Sequence, residues 1–108
     1  MNETYSITEP ARADVDTLAG STVIEFGTPW CGHCRAAQPL IASALAEHPG
    51  VHHIKVEDGS GKRLGRTFGV KLWPTLVFLR NGKEIARLVR PREVALISRA
   101  LAQLESAR

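Results

Sequence analysis

Residues 25–39 read EFGTPWCGHCRAAQP and hold the only two cysteines of the chain, Cys31 and Cys34. The stretch begins at the end of a β-branched and aromatic run, TVIEF at 22–26, bounded by AGS and GTP, which predicts a strand. From Gly32 to about His48 the pattern turns helical, with Leu40, Ile41, Ala44 and Leu45 recurring on one face. Pro39 falls inside that pattern and is expected to kink the helix by removing one ladder bond. HPG at 48–50 stops it. A C-x-x-C at a strand-to-helix junction puts Cys31 at the helix start, where unpaired N–H groups and the positive end of the dipole favour a thiolate. Cys34, one turn further in, is close enough for a disulfide yet better shielded. One sulfur then suits a nucleophile and the other a resolver, the division that redox exchange needs.

The rest of the chain surrounds this junction with strands and helices. VHHIKVE at 51–57 reads as a second strand, with Val51, His53 and Lys55 on one side and His52, Ile54 and Val56 on the other. DGSGKRLGRTFGV is glycine-rich and predicts at most a short helix. TLVFLRNGKEIARLV at 75–89 is a hairpin around Asn81-Gly82, the pair that best tolerates the positive φ angles of a tight turn. Pro91 is expected to open a last helix, on which Val94, Ile97, Leu101 and Leu104 form an apolar stripe. EPARADVDTLAG predicts a further helix, preceded by a short strand at Tyr5 to Ile7. Parallel crossovers followed by an antiparallel hairpin imply an α/β fold, a central mixed sheet flanked by helices on both faces.

At 108 residues the chain is expected to form a single domain spanning 1–108. Its hydrophobic content of 44% and charged content of 23% are ordinary for a globular protein. No apolar run approaches a membrane span. The start MNETYSITEP lacks the basic and apolar regions of a signal peptide, so a cytoplasmic, reducing environment is expected. The net charge of +3 hides an asymmetry: residues 60–92 hold nine basic side chains and one acid, whereas residues 1–59 hold three basic and eight acidic ones. A basic half can attract acidic proteins or nucleic acid, but its plain reading is a solvated face, and no nucleic-acid partner is expected.

Two other readings of the motif, and a phosphate-loop reading elsewhere in the chain, fail. Zinc wants four ligands, and the chain has one C-x-x-C with His33 between its cysteines, while His52 and His53 point to opposite faces of a strand. Haem attachment wants His directly after the second cysteine, where Arg35 stands. GSGKR at 59–63 lacks the earlier glycine of a phosphate loop, Val56 standing there, and Arg63 replaces its Ser/Thr. Neither metal nor bound cofactor is implied.

VIEFGTPWCGHCRAAQP, followed 39 residues after Cys34 by WPT and then by FLRNGK, resembles the thioredoxin family from about Thr22 to the last helix. Gly32-His33 between the cysteines and the Glu of EF are similar to protein disulfide isomerase domains, since typical thioredoxins carry Gly-Pro and an Asp. The resemblance implies a thioredoxin fold, thiol–disulfide exchange and a cis peptide before Pro74. A central strand with helices on both faces has no wet side, so Glu25 is expected to be buried with a pKa raised by desolvation. The resemblance implies that it is the family's buried acid, serving as general base toward Cys34. His33 would stabilise the Cys31 thiolate and make the disulfide more oxidising. The poise would fall between about −270 mV for thioredoxin and about −180 mV for the isomerase, closer to the latter. Trp30, Gly32, Trp73, Pro74 and Arg90 would contact substrate, the Trp73 backbone pairing with an extended chain.

Three positions depart from the family pattern. Arg90 stands in place of a glycine in the hairpin-to-helix loop, Gly27 in place of an aromatic, and His53 in place of the lysine that accompanies the buried acid. The reading is a monomeric oxidoreductase of protein disulfides, fed by thioredoxin reductase or a glutathione-type thiol pool. The alternative is a non-catalytic adaptor that holds an acidic partner on its basic face.

Overall fold

The computed structural model describes residues 4–107. Its elements are α1 (Arg12–Asp16), β1 (Ser21–Gly27), α2 (Gly32–Ala46), β2 (His52–Glu57), α3 (Arg63–Thr67), β3 (Thr75–Arg80), β4 (Lys83–Val89) and α4 (Val94–Ser106). The four strands form one sheet in the order β2-β1-β3-β4. β1 runs parallel to β2 and antiparallel to β3, and β3 pairs antiparallel with β4. This is the mixed sheet the pattern implied.

β1 is buried along its whole length because both of its faces are covered. Val23 packs under α2 and α4 with Ile41, Leu76, Phe78, Ile97 and Leu101. Ile24 and Phe26, one residue out of phase, pack on the opposite side with Val15 of α1 and Leu64 of α3. That two-residue alternation puts Glu25 on the α2 side, with no contact to water: it is 0% exposed. α4 buries the stripe Ile97, Leu101 and Leu104, and each such side chain contributes about 1.5–3 kcal/mol by leaving water.

The hairpin turn is as expected. Asn81 and Gly82 both take positive φ, 51° and 80°, as a tight two-residue turn demands. A Cβ on Gly82 would also collide with the Asp16 carbonyl, at 2.0 Å.

Four boundaries differ from the sequence reading. The strand expected at Tyr5 to Ile7 is a single parallel bridge between Ser6 and Val56. The N-terminal helix shrinks to five residues, without a side-chain cap, and α2 ends at Ala46 rather than His48. Pro91 does not open the last helix. The N–H of Arg90 bonds the Pro74 carbonyl at 2.9 Å, tying this loop to the start of β3, and the chain turns helical only at Val94.

Candidate active site

Cys31 caps α2. Its φ and ψ of −77° and 121° are extended, and its sulfur accepts the Cys34 N–H at 3.2 Å. One of the unpaired donors of the helix start is thereby used on sulfur. Both cysteines are thiols. Cys31 is nearly covered, and Cys34 is sealed at 0% exposure. Burial, reinforced by the neighbouring Cys31, pushes the Cys34 thiol up to about 11. Cys34 is therefore a protonated sulfur at neutral pH, which has to lose its proton before it can attack.

Trp30, the residue before Cys31, is 68% exposed. Its ring meets that of Trp73 edge-on, with centroids 5.7 Å apart, so the loop before α2 touches the loop before β3. Trp73 is anchored by its indole N–H, which donates to Asp58 Oδ2 at 2.8 Å. The Trp73–Pro74 peptide is cis. Arg90 adopts φ 51°, a conformation suited to the glycine it replaces, and its Nε donates to the Trp73 carbonyl at 2.7 Å. The backbone oxygen expected to pair with substrate is thus already held by a guanidinium. Gly32 is exposed, and nothing lies within 4 Å of where its Cβ would stand. His33 is exposed and lines a cleft of about 390 Å³ with Leu40, Arg90 and Arg92.

Behind the cysteines, Glu25 is surrounded by donors. Oε2 accepts from Tyr5 Oη at 2.5 Å and from Gln38 Nε2 at 2.7 Å, while Oε1 faces His53 Nε2 at 2.9 Å. Gln38 also donates to the Cys34 carbonyl at 2.9 Å and accepts from Lys55 Nζ at 2.6 Å. Here the expectation of a raised Glu25 pKa is overturned. Burial does push it upward, but the bonds from His53, Tyr5 and Gln38, with the charge of Lys55, hold the carboxyl below its ordinary range. The expected substitution of His53 for the lysine is also corrected. Lys55 is the register partner of Glu25 across the β1–β2 pair and is 2% exposed. His53 joins Lys55 on the same strand face rather than replacing it.

The reading from sequence missed Tyr5, Gln38, Lys55 and Asp58. Gln38 had a local signal, since it lies four residues after Cys34 and so on the same face of α2. Lys55 shared a strand face with His53. Tyr5 had none, because its place depends on where the N-terminal segment crosses the sheet.

Gly27 belongs to this group as well. A Cβ there would lie 2.6 Å from Cys34 Sγ and 2.8 Å from Tyr5 Oη. The aromatic usual at this position is excluded because Tyr5 already fills the space. Among the described residues, no three His, Cys, Asp or Glu side chains gather as a metal site, and no helix is long and apolar enough to cross a membrane.

Two thiols one helical turn apart, one at a helix mouth and one sealed behind it, can pass two electrons by closing into a disulfide. Fold and site together define the class of thiol–disulfide oxidoreductases. The thioredoxin family model matches residues 8–103, and the chain belongs to the thioredoxin family. A solved structure of thioredoxin 2 from Pseudomonas aeruginosa PAO1, in its reduced form, is 56% identical with a TM-score of 0.88, covering 97% of each chain. Thioredoxin H-type 1 of Nicotiana tabacum is 34% identical over 68% of this chain and 59% of its own length. Protein disulfide-isomerase of Gallus gallus is 40% identical over 66% of this chain but 14% of its own.

Proposed function

We propose that this chain reduces or exchanges protein disulfides, with Cys31 as nucleophile and Cys34 as resolver. The observation that carries the reading is the unequal environment of the two sulfurs. Cys31 accepts a helix N–H beside the exposed Trp30, while Cys34 lies fully buried behind it. Cys31 thiolate attacks one sulfur of the substrate disulfide, whose other sulfur leaves as a thiolate. Cys34 then attacks the mixed disulfide, and the Cys31–Cys34 pair is left oxidised. No group beyond the two sulfurs carries the electrons.

Glu25 serves as the proton acceptor for Cys34, a carboxylate kept ionised by its donors rather than a carboxylic acid kept neutral by burial. His33 tunes the pair toward the oxidising end. Trp30, Gly32, Trp73 and Pro74 form the contact surface for an extended substrate, with Arg90 at its edge. The protein works as a cytoplasmic monomer, and a thioredoxin reductase or a glutathione-type thiol pool re-reduces it.

Several of the basic side chains on which the adaptor alternative rests are engaged within the fold. Arg87 binds Glu84 and the Phe68 carbonyl, Arg90 the Trp73 carbonyl, and Lys62 the Ile7 carbonyl. Insulin reduction with a dithiol donor tests the proposal. The chain should accelerate precipitation of the insulin B chain, and activity equal to the uncatalysed rate would refute it.

A further inference from the structure

The proton on Cys34 has to reach Glu25, and one side chain stands at both ends of that path. The Tyr5 hydroxyl donates its single hydrogen to Glu25 Oε2 at 2.5 Å, while Gln38 Nε2, whose two hydrogens serve Glu25 and the Cys34 carbonyl, lies 3.3 Å from the phenol oxygen. A hydroxyl has two acceptor lone pairs, so at least one remains for Cys34. Cys34 Sγ and Tyr5 Oη press against the same point, the missing Cβ of Gly27, from 2.6 and 2.8 Å. Tyr5 and Cys34 also line one cleft of about 300 Å³, together with Gln38 and Lys55.

We propose that Tyr5 is a catalytic residue that relays the Cys34 proton to Glu25. This rests on the oxidoreductase reading above. As Cys34 attacks the mixed disulfide, its S–H bond breaks and the proton passes to the Tyr5 oxygen. In the same step the original Tyr5 O–H breaks and its proton goes to Glu25 Oε2. The Cys34–Cys31 bond forms, the bond from Cys31 to the substrate sulfur breaks, and the substrate leaves as a thiolate with the electron pair. The two cysteines are oxidised, the substrate disulfide is reduced, and Glu25 ends protonated. In the reverse direction the same chain returns a proton to Cys34.

The groups around the relay suit it. His53 and Gln38 hold the receiving carboxylate, and Lys55 Nζ lies 4.5 Å from the centre of the Tyr5 ring. Burial and the neighbouring Glu25 push the phenol's pKa well above its ordinary value. Tyr5 therefore passes protons by simultaneous acceptance and donation, never as a free phenolate.

A chromogenic aromatic disulfide, dithiobis-nitrobenzoate, separates the steps on the full chain. Release of the first thiol reports attack by Cys31, and release of the second reports closure by Cys34. Tyr5→Phe should leave the first release within about 2-fold and slow the second by about 10-fold or more, since general acid–base contributions run higher still. The solvent deuterium isotope effect on the second release should fall in the variant. Closure by Tyr5→Phe at the parent rate, with the parent isotope effect, overturns the relay. Should Tyr5→Phe fail to fold, the unmodified chain in mixtures of H2O and D2O decides. A curved dependence of the second release indicates two protons in flight, and a straight one overturns the relay. Absence of the first release from the unmodified chain would instead refute the oxidoreductase reading itself.

Discussion

Gly27→Ala tests whether the space behind Cys34 is as fully used as the structure indicates. In a strand interior this change ordinarily stabilises, because glycine costs about 0.5–1 kcal/mol relative to alanine. Here the new Cβ would meet Cys34 Sγ at 2.6 Å, Tyr5 Oη at 2.8 Å and Tyr5 Cζ at 3.1 Å. Comfortable contacts lie at about 3.5–4.0 Å, so the neighbours have to yield by about 1 Å. Overpacking of that order costs about 1–3 kcal/mol and outweighs the backbone gain. For a domain of this size each 1 kcal/mol lowers Tm by about 4–8 °C, so a fall on the order of 10 °C is expected. Circular dichroism melts of the dithiol form measure it. The same substitution in a Tyr5→Ala background should cost less, by at least about 0.5 kcal/mol of coupling, because the phenol no longer competes for the space. A Gly27→Ala protein that melts at or above the parent temperature would refute the packing argument.

Glu25→Gln should destabilise the protein by about 1–3 kcal/mol at pH 7, since one of the two oxygens that accept from Tyr5, Gln38 and His53 becomes an NH2 group facing a buried donor. Because the folded pKa of Glu25 is depressed, its stabilisation is present above the ordinary carboxylate range and lost as pH falls below it. Urea midpoints of parent and variant should therefore converge on acidification, and a constant gap would contradict the direction of the shift. His33→Pro should lower the reduction potential toward that of thioredoxin by about 30 mV, equivalent to about 1.4 kcal/mol for this couple. Equilibration with glutathione gives the value, and an equal or more oxidising variant would remove His33 from the account of the poise. Arg90→Gly relieves a left-handed backbone at about 1–2 kcal/mol but loses a charge-assisted bond of about 1.5–3 kcal/mol, so stability should change by no more than about 2 kcal/mol. With the Trp73 carbonyl uncovered, KM for an uncharged peptide disulfide should fall, and an unchanged or higher KM would mean that substrate does not use that carbonyl.

Much of the fold was legible because its signals are local. Asn81-Gly82 fixes a turn within two residues, and the runs on either side of it differ from helix in period. Helices expected on both faces of the central strand leave it no wet side, which placed Glu25 in the interior. What sequence did not give was the sign of the Glu25 shift. Burial alone argues for a raised pKa, and the opposing bonds come from Tyr5, Gln38 and His53, which lie 20, 13 and 28 residues away. Lys55 was overlooked for a related reason. A buried lysine opposite an acid is defined by the β1–β2 register, and a one-residue difference in alignment transfers the role to a neighbour. Pro91 misled because proline suits a first helical turn equally well as a loop, and only the Arg90 bond to Pro74 distinguishes them.

The central claim is the division of labour between the two sulfurs, and intact-mass analysis after incubation with a disulfide-bonded protein tests it most directly. Cys34→Ser should accumulate a mixed disulfide through Cys31, because attack proceeds and closure cannot. Cys31→Ser, whose remaining thiol is buried and held protonated, should stay unmodified. Equal trapping by the two variants, or trapping by Cys31→Ser alone, would contradict the account.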